Sequence, residues 1–192
     1  MTTLKELTWE HHKNAERQDF VKVLMGGSID PKLYATFLFN QHPCYNLLET
    51  MAMGHGLLND IQEIRRAPQI HTDFLELWKD EKELPKLLDS TNKYIYHLKT
   101  IMDDPHKLMA HIYVRHMGDL SGGQMIKKRA PGKGTMYEFD CDIKETKEII
   151  RSKTNDSMAE EAKLCFEYAT ELFKELYAEK KETDQQVGSD QN

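Results

Sequence analysis

An all-α fold in one domain is the reading this sequence supports, on three observations. Apolar residues recur at helical spacing along the chain. Helix-start signals precede several of these stretches: Thr3-Leu4-Lys5-Glu6 with capping-box spacing, then Asp30-Pro31 and Asp104-Pro105. No run alternates apolar and polar residues long enough to build a sheet, and the one strand candidate, residues 135–139, stands alone. At 192 residues the chain has room for one domain with a sizeable core.

The elements follow in order. Thr3 and Glu6 can each satisfy an orphan backbone N–H, so a helix is expected from there to Met25, ending at Gly26-Gly27. Pro31 opens the second helix at a position where its missing donor costs nothing. Leu33, Phe37, Leu38, Tyr45 and Leu48 mark that helix, and Pro43 is a candidate kink. Gly54 and Gly56 loosen the chain, and shorter helices are expected over 57–65, 72–79 and 85–102. Asp104-Pro105 opens a long helix that ends in the loop Ala130-Pro131-Gly132-Lys133-Gly134. Helical spacing resumes over 143–153 and 157–180, the latter with a capping box from Ser157 to Glu160. The domain therefore spans 1–180, and 181–192 reads as a polar, disordered tail.

Composition excludes several classes. Charged residues at 30% against 39% hydrophobic imply helices with wide solvated faces. A net charge of -6 argues against a general nucleic-acid binder, because phosphate binding wants a positive surface. Cys44, Cys141 and Cys165 are odd in number and widely spaced, which argues against a disulfide framework and for a reducing, cytoplasmic setting. The N-terminus is acidic and polar early, unlike a signal or transit peptide, and no apolar run approaches the ~20 residues a membrane helix needs. A soluble protein with no membrane partner is expected.

The long helix carries an anomaly, Gly118-Asp119-Leu120-Ser121-Gly122-Gly123-Gln124. Each helical glycine costs about 1 kcal/mol relative to alanine, so three in six residues imply a compensating role. A bare backbone admits a flat object against the helix, and Gly118 and Gly122, spaced i, i+4, share one side of it. The bland alternative is close packing of two helices. Asp119 sits inside the weakened turn.

This segment, preceded by Tyr113-Val114-Arg115, resembles the distal-helix signature of the haem oxygenases. Leu4-Lys5-Glu6-Leu7-Thr8-Trp9-Glu10-His11-His12-Lys13-Asn14-Ala15-Glu16 resembles the family's proximal helix, and residues 147–152 and 162–166 are weaker matches in the same order. The resemblance implies haem held between a proximal helix and a kinked distal helix, with His12 ligating the iron. Taken alone, His12 is no different from the eight other histidines, and His11 is its immediate rival. Glu16, one turn on, is either a carboxylate that orients the ring or an ordinary solvated helix charge. The resemblance further implies that Gly118, Gly122 and Gly123 approach the haem face and that Asp119 holds water for proton delivery. Arg115 and Tyr45 would support that network. Lys5, Tyr113, Lys147 and Arg151 would hold the propionates, and Phe166 would line the pocket. An asparagine common in the family three residues after Phe166 is Ala169 here, so the water network is expected to be wired differently.

The activity implied is O2- and electron-dependent opening of haem at one meso carbon, the alpha position being the family's usual one. Biliverdin, carbon monoxide and ferrous iron would be the products, with haem both substrate and cofactor. Lys127-Lys128-Arg129 with Lys133 forms a basic cluster suited to an acidic electron donor such as a ferredoxin. Two rivals remain: a non-enzymatic haem carrier or sensor on this fold, and a thiamine-degrading enzyme on a related helical fold.

Overall fold

The computed structural model describes residues 2–79 and 82–189. Among these the chain forms α1 (Leu4–Leu7), α2 (Trp9–Glu16), α3 (Asp19–Met25), α4 (Pro31–Gly54), α5 (Ala67–Leu77), α6 (Asp89–Thr100), α7 (Pro105–Lys127), α8 (Ile143–Ser152) and α9 (Ala159–Ser189). Short 3-10 turns lie at Gln62–Ile64, Thr135–Tyr137 and Asp156–Met158, and the described residues contain no strand. The all-α expectation is met.

The three expected start signals act as such. Thr3 accepts from Glu6 N at 3.3 Å while Glu6 Oε2 accepts from Thr3 N at 2.7 Å. Asp30 accepts from Lys32 N and Leu33 N, and Asp104 from Lys107 N. The first helix is not continuous to Met25, however. Thr8 Oγ1 bonds back to Leu4 O at 2.9 Å, a side-chain competitor for the helix ladder, and the chain turns there. It breaks again at Gln18, whose backbone is extended and whose side chain donates to Asn14 O.

Elsewhere caps arrive from distant segments. The helix expected over 57–65 reduces to the turn Gln62–Ile64, and α5 begins at Ala67, before 72. Glu49 on α4 accepts from Arg66 N at 2.5 Å and Ala67 N at 3.2 Å, which starts α5 there. α6 starts at Asp89, not 85; Leu88 provides no side-chain cap, and Glu175 on α9 accepts from Asp89 N and Ser90 N instead. Residues 135–137 form a turn pinned by Asp73, whose carboxylate accepts from Thr135 N and Met136 N. Asn155, rather than Ser157, supplies the cap before α9.

α9 continues in helical backbone to Ser189, past residue 180 where the sequence reading began the tail. Lys180, Lys181 and Glu182 are good helix formers and no breaker precedes Gly188. The last three residues of the expected tail lie outside the described residues.

Two apolar clusters hold the helices. One joins α4, α6, α7 and the start of α9 through Leu48, Leu98, Ile112, Ala162 and Cys165. The other joins α3, α4, α5 and the middle of α9 through Phe20, Tyr34, Leu38, Ile70 and Leu176. Cys44 and Tyr45, adjacent on α4, belong to different clusters, so α4 and α9 form the spine against which α2, α3 and α7 dock.

Candidate functional site

α7 runs unbroken through all three glycines. They face different surroundings. A Cβ added at Gly118 or Gly122 would meet nothing within 4 Å outside its own helix among the described residues. A Cβ at Gly123 would lie 3.1 Å from Tyr137 Cε1 and 3.2 Å from Cγ, and closer still to Cδ1. Gly118 and Gly122 therefore present bare backbone to open space. Gly123 differs, since its Cβ side is filled by the buried Tyr137 ring.

Asp119 lies between these glycines, yet is only 8% exposed. Tyr45 Oη on α4 donates to Asp119 Oδ2 at 2.8 Å. Burial raises the Asp119 carboxyl from 3.8 to about 6; His116, the Tyr45 hydrogen bond, Arg115 and Arg66 oppose this. A carboxyl poised there exchanges protons near neutral pH. Burial, followed by the Asp119 charge, holds the Tyr45 hydroxyl well above the usual tyrosine range, so it stays a donor.

Arg115 is one turn from Asp119 but makes no ion pair with it among the described residues. Its Nη1 donates to Gln41 Oε1 at 3.1 Å and its Nε to Tyr94 Oη at 3.4 Å. Its guanidinium stacks over Tyr94, 4.4 Å from the ring centre, and lies 5.8 Å from that of Tyr45. Arg115 thus acts on Asp119 through its field, and is anchored by α4 and α6.

On α2, His12 stacks against Phe166 of α9, with ring centres 5.4 Å apart, and meets Trp9 edge-on. Glu16 Oε1 lies 2.9 Å from His12 Nε2, one turn along the same helix. His11 instead faces Glu167, at 3.2 Å. Both α2 and α7 pack on α9, so the His12 and glycine elements share one support. The pairings with Lys13 and His12 hold Glu16 below the usual carboxylate range despite its partial burial.

The expected propionate cations are exposed or half-buried, and Lys5, Lys147 and Arg151 make no ion pair among the described residues. Tyr113 is half-buried; burial raises its hydroxyl, and the nearby Arg151 opposes the rise. In the basic cluster Lys127 is committed to Glu138 at 2.7 Å, while Lys128 and Arg129 are exposed.

Sequence reasoning missed several residues that build this site. His116 is fully buried, with Nε2 3.0 Å from Glu49 Oε1 and no hydrogen-bond partner for Nδ1 among the described residues. Its ring lies 5.3 Å from that of Tyr45, and of the groups holding the Asp119 pKa down it comes first. Glu49 sits one turn beyond Tyr45 on α4, so i, i+4 spacing from a chosen tyrosine was the available signal. Gln41, one turn before Tyr45, was legible the same way. Tyr94 and Tyr137 gave no local signal.

A protein-family model described as "Heme oxygenase" matches residues 1–180. The chain is similar to "Heme oxygenase 2" of Macaca fascicularis, 31% identical over 204 residues, covering 90% of this chain and 64% of that protein. It is similar to "Heme oxygenase" of Rhodella violacea, 30% identical over 204 residues, covering 90% of this chain and 85% of that one. Thus the chain spans about 64% of the length of the mammalian relatives it matches. Its fold is similar to that of heme oxygenase-1 from Synechocystis, solved in complex with heme, with a TM-score of 0.81, 24% identity, and 98% and 97% of the two chains covered. No helix among the described residues is long and apolar enough to cross a membrane.

Proposed function

This chain belongs to the haem oxygenase family, and we propose that it cleaves haem at one meso carbon to biliverdin, carbon monoxide and ferrous iron, using O2 and external electrons. The observation that carries this reading is the Asp119 carboxyl. It is buried, bonded to the Tyr45 hydroxyl, poised at about 6, and flanked by two glycines that face open space.

The residues present fit haem as substrate. The bare backbone at Gly118 and Gly122 accepts a flat macrocycle that a single methyl group would obstruct. His12 is the proposed iron ligand: with one ring nitrogen held on Glu16, the other keeps its lone pair for a metal. Phe166 fixes the plane of that ring by stacking. Lys5, Lys147 and Arg151, uncommitted to carboxylates among the described residues, suit two propionates, and Tyr113 adds a donor beside Arg151.

When bound, haem supplies the iron that reduces O2 and is itself the molecule oxidised. The protein's part is placement and proton supply. Asp119, about half ionised near pH 6, takes up a proton and returns it on the open side of α7, and Tyr45 fixes which carboxylate oxygen is free. Arg115 keeps positive charge nearby without occupying the carboxylate, which leaves Asp119 able to hold water. His116 Nδ1, buried without a hydrogen-bond partner among the described residues, is a second anchor for such a water. The glycine face sets which meso carbon is attacked by shielding the rest.

Electrons are proposed to come from an acidic protein such as a ferredoxin, docking at Lys128 and Arg129 past the end of α7. Three free cysteines accord with a reducing compartment. The test is haem-loaded protein given O2, ferredoxin and its reductase. Loss of the haem band with appearance of a bilin is expected. A persistent haem band without bilin would identify a carrier instead.

A further inference from the structure

We propose that His97, His111 and Glu161 form a binding site for one divalent transition metal, with zinc best matched to the donors. The three residues come from α6, α7 and the first turn of α9. One ligand atom from each lies within 4.8 Å of the other two. Glu161 Oε1 is 2.8 Å from His111 Nε2 and also contacts His97 Nε2. None of the three touches iron ligation as proposed above, so this site stands whether or not that reading does.

Geometry favours a cation here. Zinc bonds of about 2.0–2.2 Å to nitrogen and oxygen put tetrahedral ligand atoms about 3.3 Å apart. The three ligand atoms already lie within 4.8 Å of one another, on α9 and on two helices, α6 and α7, that both pack against it. Two imidazoles aim the same nitrogen at one carboxylate oxygen, an arrangement that a shared cation satisfies directly. Protons alone would require both rings to donate to that single oxygen.

The surroundings complete the site. Tyr94 Oη lies 2.8 Å from His111 Nδ1, 3.4 Å from Arg115 Nε and 3.7 Å from Cys165 Sγ. With His111 donating from Nδ1, the hydroxyl accepts from His111 and Arg115 and turns its own proton to Cys165. All three contacts are then satisfied, and His111 Nε2 is left as a lone pair, the tautomer a metal requires. The side chain of His111 is fully buried while those of His97 and Glu161 are 17% and 10% exposed, so the site has a closed floor and an entry path. Two nitrogens and one carboxylate leave a fourth position for water, and this donor set suits zinc better than calcium or magnesium.

The test uses the whole protein, stripped with a chelator and titrated with Zn2+ by calorimetry and with Co2+ by visible absorption, with and without bound haem. Expected are one equivalent of Zn2+, Co2+ bands typical of low coordination, and a melting temperature that rises with free Zn2+. His97→Ala and Glu161→Gln should each weaken Zn2+ binding by more than about 100-fold, beyond the 10–100-fold cost of losing an outer-shell partner. His12→Ala should retain it. His97 is partly exposed, so its variant stays folded by circular dichroism and keeps the test decisive. Absence of stoichiometric Zn2+ binding, or binding that survives both His97→Ala and Glu161→Gln, overturns the proposal.

Discussion

Adding one methyl group at Gly118 and at Gly123 should move stability in opposite directions. Both lie inside α7, where alanine is favoured over glycine by about 1 kcal/mol. At Gly118 the new Cβ meets nothing within 4 Å beyond its own helix among the described residues, so the full gain is retained. The ligand-free Gly118→Ala protein should be about 1 kcal/mol more stable and melt roughly 2–4 °C higher, as expected for a domain of this size. At Gly123 the Cβ would intrude on the Tyr137 ring, which is 3% exposed and held in a turn pinned by Asp73. Overpacking of this kind costs up to about 3 kcal/mol, leaving a net loss of about 2 kcal/mol and a melting point roughly 4–8 °C lower. Haem affinity separates the two roles further. Gly118→Ala should weaken haem binding, read as a shift in the absorbance titration, because the methyl group stands where the macrocycle approaches. Gly123→Ala should leave the affinity of its folded fraction near wild type. Unchanged haem affinity in Gly118→Ala would refute the open-face reasoning, and a stabilised Gly123→Ala would refute the packing role.

Other outcomes follow from the same geometry. His12→Ala should lose bilin formation, and added imidazole should restore part of it; full turnover without imidazole would return the ligand role to His11 or another base. Asp119 binds its proton more tightly folded than unfolded, from 3.8 to about 6, so its stabilising contribution is complete below pH ~4 and lost as pH rises through about 6. That shift is worth about 3 kcal/mol, so Asp119→Asn should gain about that much relative to wild type between pH 4 and 7. Denaturant curves that stay parallel across this range would contradict it. His116→Leu leaves the buried Glu49 with only its two backbone donors and should cost about 3 kcal/mol by denaturant unfolding, partly recovered by adding Glu49→Gln. A single variant as stable as wild type would show that the pair contributes nothing.

What the sequence made legible was chemistry with a local signature. Asp30-Pro31 and Asp104-Pro105 mark real helix starts because a carboxylate two or three residues away is all that a start requires. Gly118 and Gly122 stood out because glycine is costly in a helix whatever surrounds it. Where the determining partner is far along the chain, local reading failed. α5 and α6 start where Glu49 and Glu175 accept their first N–H groups, across separations of 17 to 86 residues, and neither window contains that information. Gly123 has the same local look as Gly122 and differs only because Tyr137, from a turn beyond the helix, fills its side.

The site divides along the same line. Tyr45 and Asp119 are 74 residues apart, and the resemblance could pair them, but not the poise of the pair. Asp119 sits at about 6 because burial outweighs four opposing influences, and the first of these, His116, is itself held by Glu49 one turn along α4 from Tyr45. The proton-handling group is therefore built by Tyr45 and Glu49, on adjacent turns of α4, facing Asp119 and His116 of α7, with Arg115 tied back to Gln41 one turn earlier. A helix-to-helix register sets this acid, so substitutions at Gln41 or Glu49, which touch neither Asp119 nor the open face, should change its proton affinity as surely as substitutions at Tyr45.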